Sequence, residues 1–155
     1  VRRELSGGFE LDDDRSRIDV DAVHAFISTE SYWGLGRPRG QVVRAIGGST
    51  RVLGLYLDDG SQAGRQVGFA RAVSDATSVA YLADVYVLAA HRGRGLGLEL
   101  VREMVEGSYE GARWMLHTAD AQRLYAKLGF VEGDPPYTLM ERPPSSGAAG
   151  ATVRR

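Results

Sequence analysis

The chain has 155 residues, 25% of them charged, and a formal net charge of -1. That length fits one domain with a real core, and the balanced charge gives no support for a general attraction to nucleic acid or anionic membrane. There is no cysteine, which excludes disulfides, thiolate metal sites and a cysteine nucleophile.

The three histidines, His24, His91 and His117, show no metal-ligand spacing, so no metal is expected. No apolar stretch is long enough to span a bilayer, and no secretory signal pattern opens the chain. The expectation is a cytoplasmic domain over residues 1–142 with a disordered tail over residues 143–155, which is proline, serine, glycine and alanine.

Residues 1–17 are polar, with a short strand expected around Gly8 to Leu11 and an acidic run at Asp12, Asp13 and Asp14. That run reads as a solvated turn or as a negative rim for a cationic substrate. From Asp19 to Glu30 the apolar residues recur at helical spacing, with Asp19 as the cap. A glycine-rich loop then carries Tyr32 and Trp33, which either line a substrate pocket or anchor the core. Pro38 starts a second helix with Val42, Val43 and Ile46 as its stripe, and Gly47 and Gly48 end it.

Strands at Arg51–Leu57 and Arg65–Ser74 flank a turn rich in aspartate and glycine, and Val79 opens a third. The run from Val79 to Leu88 is apolar on both faces, as in a central strand covered from both sides. A basic, glycine-rich turn follows from His91 to Gly97. Then comes an amphipathic helix with Leu96, Leu100, Val101, Met104 and Val105 on one face. A strand at Arg113–His117, a helix from Asp120 to Leu128, a strand opening at Phe130 and Val131, and a last strand at Tyr137–Glu141 complete the order. The class is α/β: a mixed, mostly antiparallel sheet flanked by helices, in the order β-α-α-β-β-β-α-β-α-β-β.

The turn is the chemical centre of the sequence. Gly93, Gly95 and Gly97 alternate with Arg94 and Leu96 directly after Arg92. Glycine lets a ligand approach the backbone without meeting a Cβ, and the helix that follows offers unpaired N–H groups at the positive end of its dipole. No Lys-Ser/Thr pair follows, so this is not a P-loop, and the spacing is not that of the dinucleotide fingerprint.

Residues 92–97 read as R-x-x-G-x-G and resemble the pyrophosphate signature of the GCN5-related N-acetyltransferases. VYVLAAHRGRGLG at residues 85–97 and DAQRLYAKLGF at residues 120–130 match two motifs of that family in the right order. The resemblance implies acetyl-coenzyme A as cosubstrate and an amine of a small molecule or peptide as acceptor. It implies that Val85, Tyr86 and Val87 offer main-chain groups to the pantetheine arm. Arg92, Gly93, Arg94, Gly95, Leu96 and Gly97 would hold the pyrophosphate, and Tyr125 would stand near the thioester sulfur. Thr118 departs from the family's usual asparagine seven residues before that tyrosine. Such domains often pair, so a homodimer is an open expectation.

Without cysteine, direct transfer in a ternary complex is the simplest mechanism. Asp84 is the only charged residue inside the apolar strand and is the first candidate for a general base, or else a structural carboxylate bonded to backbone, Tyr81 or Arg71. His117 is the second candidate. Tyr125 is the acid candidate, and cationic neighbours would bring its phenol closer to a thiol. A non-catalytic acyl-coenzyme A sensor and a nucleotide-binding regulator are the competing classes.

Overall fold

The computed structural model describes residues 1–133 and 138–145. Six strands lie side by side in chain order: β1 (Arg2–Leu5), β2 (Phe9–Asp12), β3 (Arg51–Leu57), β4 (Arg65–Ser74), β5 (Val79–Val87) and β6 (Arg113–Met115). Neighbours pair antiparallel except β5 and β6, which run parallel. A parallel pair needs a crossover, and α3 (Leu96–Glu106) supplies it. The other helices are α1 (Val20–Thr29), α2 (Arg39–Gly47) and α4 (Gln122–Ala126).

The sheet is covered on both faces, which explains the unbroken apolar run in β5. On one face Leu96, Leu100, Val101 and Met104 of α3 pack on Leu55, Val67 and Leu82. On the other, Val23, Phe26 and Ile27 of α1 and Val42 and Ile46 of α2 pack on Val52, Phe69 and Tyr86. Each such burial contributes roughly 1.5–3 kcal/mol before the entropy of ordering is charged against it. Asp19 caps α1 by accepting from the Ala22 amide at 2.9 Å, which holds the start of the helix over the sheet.

Two irregularities in β5 shape the site. Phe69 pairs with Tyr86 while Arg71 pairs with Ala83, so Ala70 faces two residues, Asp84 and Val85. This bulge sets Asp84 in the left-handed region at φ 51°, a conformation that aspartate tolerates better than most residues. The second irregularity is a split. β6 pairs with β5 only from Val79 to Tyr81 and ends at Met115. From Leu82 to Val87, β5 has no strand on that side among the described residues.

The sequence reading needs four corrections. An extra edge strand, β1, precedes the expected one. Its residues are RREL, held by ladder bonds to β2 and by ion pairs from Arg2 to Glu10 at 2.5 Å and from Arg3 to Glu99 and Glu103 at 3.1 and 3.0 Å, so it lacks an apolar signature. β6 stops at Met115, short of His117, and α4 is confined to Gln122–Ala126. Among the described residues no strand follows α4: Phe130 and Val131 are irregular, as are residues 138–141. Tyr137 and residues 146–155 of the expected tail lie outside the described residues.

Candidate active site

A cleft of about 620 Å³ opens where β5 and β6 part. Its floor is Val85, Tyr86 and Val87 of β5. One wall is the turn and the start of α3, with Arg92, Gly93, Gly95, Leu96, Gly97 and Leu98. The opposite wall comes from the loop after α1, with Phe26, Glu30, Ser31, Tyr32 and Trp33. The segment through α4 closes the side with Asp120, Ala121, Arg123, Leu124, Tyr125 and Lys127. The structure therefore gathers most of the residues that the sequence singled out. Arg94, Thr118 and Asp84 are not in the lining.

The turn is shaped for an anion. Gly93 and Gly95 have φ of 75° and 77°, and a Cβ at either would meet no atom of the described residues within 4 Å beyond its chain neighbours. No side chain caps α3, so its first N–H groups stay available beside the positive end of the dipole. Arg92 donates from Nε to the Val87 carbonyl at 2.8 Å, which ties the turn to the end of β5 and leaves its terminal N–H groups without a partner among the described residues. Arg123 and Lys127 add positive charge on the α4 side. These residues fit a long ligand that carries phosphates.

Asp84 lies beneath the cleft and is 7% exposed. Its carboxylate accepts from Arg71 Nε at 2.6 Å, from Arg37 at 3.1 Å to each oxygen, and from Trp33 Nε1 at 2.9 Å. Burial by itself would raise its pKa, but Arg71 and then Arg37 outweigh that and hold it below the usual carboxylate value. A carboxylate held this way is a weak proton acceptor. The geometry favours a holding role for Asp84: it fixes the loop carrying Trp33 and Arg37 against the bulge. Arg37 had no local sequence signal, because it lies 47 residues from the carboxylate it binds.

Tyr125 is mostly buried, with its ring edge-on to Phe130 at 5.8 Å between centroids. Burial first, then Tyr32 and Asp120, push its phenol up to about 12. That reverses the expectation that cationic neighbours would lower it. Such a phenol stays protonated and donates a hydrogen bond; handing its proton outright to a thiolate near 8.5 is uphill by roughly 5 kcal/mol. Thr118 accepts from the Ala121 amide at 3.0 Å and so supports the entry to α4.

The acidic run near the N-terminus is consumed in structure, away from this cleft. Asp12 pairs with Arg17, Asp13 with Arg51 at 3.1 Å, and Asp14 accepts from the Ser16 amide at 2.9 Å. The carboxylates that do line the cleft are Glu30 and Asp120, which the sequence reading did not single out. They flank an aromatic group in which Phe26 stacks on Tyr86 at 3.9 Å and Tyr32 meets Trp33 edge-on at 5.0 Å.

A mostly antiparallel sheet split between two parallel strands, with a glycine turn and an uncapped helix at the mouth of the split, defines a domain of the acyltransferase type. The description Acetyltransferase (GNAT) domain matches residues 49–132, and the chain belongs to that family. A GNAT-family protein from Xanthomonas campestris pv. campestris is 39% identical, with a TM-score of 0.77 over 86% of this chain and 92% of that one. The Gibberella zeae protein named "Putative acetyltransferase FG08082" is 29% identical over 81% of each chain. A GNAT family acetyltransferase from Streptococcus pneumoniae, 18% identical, shares the fold with a TM-score of 0.63 over 87% of this chain and 99% of that one. Among the described residues no group of three histidine or acidic side chains is placed to hold a metal ion, and no helix is long and apolar enough to cross a membrane.

Proposed function

We propose that this chain is an acetyl-coenzyme A-dependent N-acetyltransferase that moves the acetyl group directly to an amine of a small molecule or peptide. The observation that carries this reading is that one cleft joins the glycine turn, the unpaired stretch of β5 and Tyr125. The turn from Arg92 to Gly97 binds the pyrophosphate through α3 N–H groups and the Arg92 guanidinium. Val85 and Val87 offer main-chain groups to the pantetheine arm, because among the described residues the split leaves that side of β5 without a partner strand. Their N–H groups polarise the thioester carbonyl. Tyr125 donates a hydrogen bond to the leaving sulfur, a role that suits a phenol that stays protonated.

The acceptor enters from the α1 side. Tyr32, Trp33 and Phe26 line the cleft there, and Glu30 and Asp120 supply negative charge. This favours a cationic amine with an apolar or aromatic body. Arg37 and Arg71 hold Asp84, and through it the loop that carries these rings. The cleft runs from a basic end at Arg92, Arg123 and Lys127 to an acidic end at Glu30 and Asp120, which matches an anionic donor meeting a cationic acceptor.

The test has two parts. Calorimetry with coenzyme A is expected to show binding that Gly95→Val weakens. A panel of amines, read by release of the coenzyme A thiol from acetyl-coenzyme A, is expected to give turnover with arylalkylamines ahead of neutral or anionic amines. Coenzyme A affinity that is untouched in a folded Gly95→Val variant would remove the pyrophosphate from the turn. Binding without thiol release across the panel would make the chain a sensor.

A further inference from the structure

An incoming amine is a cation at neutral pH, and it must lose a proton before it attacks. Asp84 is paired with two arginines and is poorly placed to take that proton. A second chain of groups stands where β5 and β6 part. Tyr81 faces Met115, the last paired residue of β6. Its hydroxyl meets His117 Nδ1, and His117 Nε2 lies 2.8 Å from Glu141 Oε1. Ala80 and Leu82 are buried, Leu82 against the α3 side. By strand alternation Tyr81 projects to the opposite face, the one with α1, α2 and the Asp84 cluster. Two residues beyond His117, the Ala119 amide donates to the Tyr32 hydroxyl at 2.9 Å, so the wall of the cleft reaches this segment.

The hydrogen bonds fix the direction of proton flow. An ionised Glu141 only accepts, so His117 carries its proton on Nε2. Nδ1 then holds the free lone pair, and Tyr81 donates to it. We infer that Tyr81, His117 and Glu141 form a proton relay that deprotonates the acceptor amine. The ammonium N–H passes its proton to the Tyr81 oxygen as the Tyr81 O–H proton moves to His117 Nδ1. The amine is left neutral, Tyr81 is regenerated and the imidazolium faces the Glu141 carboxylate. His117 and Glu141 are both exposed, so the proton then leaves to water. The charged groups that act on Tyr81 are Glu141 on the C-terminal segment, Arg71 on β4 and Asp84 on β5.

This inference rests on the acetyl-transfer reading, and the experiment separates the two. Wild type, His117→Gln, Tyr81→Phe and Glu141→Gln are compared in single-turnover thiol release from acetyl-coenzyme A with arylalkylamines, polyamines, amino sugars and short peptides. Rates are taken from pH 5.5 to 9.5, and coenzyme A affinity is measured by calorimetry. His117→Gln is expected to keep coenzyme A affinity and to lose about 10²–10⁴ in rate near neutral pH. Its rate should then climb towards wild type as alkali deprotonates the amine directly. Tyr81→Phe should behave alike, and Glu141→Gln should fall between. A wild-type rate and pH profile in His117→Gln would overturn the relay. So would a loss that is uniform across pH, which marks a packing role. Coenzyme A binding without thiol release from any amine removes transfer, and the relay with it. A failure to bind coenzyme A sinks the proposed function by itself.

Discussion

The bulge at Asp84 and the turn at Gly93–Gly97 are both charged, both lie on or just after β5, and are built in opposite ways. At the bulge, positive and negative groups close on one another: two arginines and an indole satisfy one buried carboxylate. At the turn, the helix start is uncapped and the glycines leave open space. In the first arrangement the carboxylate is occupied by partners from the chain itself, whereas the second leaves its helix start open. Charge that is consumed within the chain holds the scaffold; charge that the chain leaves unanswered is where a ligand is expected. The same contrast separates the paired Asp12 and Asp13 from Glu30 and Asp120, which have no ion pair among the described residues.

This contrast breaks first at Asp84. Asp84→Asn leaves Arg37 and Arg71 without a counter-charge, and removing one partner of a buried pair costs about 3–5 kcal/mol. Chemical denaturation should show that loss at neutral pH. The folded-state pKa of Asp84 lies below its unfolded value. Its contribution is therefore present above the unfolded value near 4 and is lost as pH falls through the folded one. The wild type should lose stability below about pH 4, and Asp84→Asn should show a shallower acid limb. Equal stability of the two proteins at pH 7 would mean that the cluster is not what holds the loop.

Tyr125→Phe touches neither region's charge. The fold and coenzyme A affinity should persist, since one oxygen is lost, while single-turnover acetyl transfer falls by about 10²-fold, the lower end for general acid catalysis. That end is expected because a phenol near 12 stabilises the sulfur by a hydrogen bond more readily than by full proton transfer. An unchanged single-turnover rate would return Tyr125 to packing alone.

The turn gives the next effect. Gly95→Val adds a branched side chain at φ 77°, with a backbone cost of roughly 1–2 kcal/mol. It also fills the open space in front of α3. Calorimetry is expected to show coenzyme A affinity reduced about 10-fold or more, in line with the up to ~2 kcal/mol available at a helix start. Stability should fall less than in Asp84→Asn.

The smallest effect is expected at Trp33, which bonds Asp84 and lines the cleft opposite the turn. Trp33→Phe keeps an aromatic wall but deletes the bond to Asp84. Hydrogen bonds to charged groups contribute about 1.5–3 kcal/mol, and the two arginines that remain place the loss near the bottom of that range. The acceptor KM should rise while that for acetyl-coenzyme A stays level. Equal rises in both would assign the ring to the core.

The sequence by itself determined α1, α2 and α3, the three central strands and the glycine turn, because each is written in local periodicity. Leu96, Leu100 and Met104 recur at helical spacing, β5 is apolar on both faces, and three glycines alternate before α3. The same sequence could not show β1, whose stability comes from ladder bonds and ion pairs to distant residues. Nor could it place the chain's end, where strand-like residues after α4 take no strand form among those described. Only the tertiary structure decided which carboxylates are answered. Asp84 meets Arg37 across 47 residues and Arg71 across 13, and a charge's role depends on what lies within a few ångströms of it, not on its neighbours in the chain. For the same reason Glu30, Asp120 and Tyr125, remote in sequence, line one cleft only once β5 and β6 have parted.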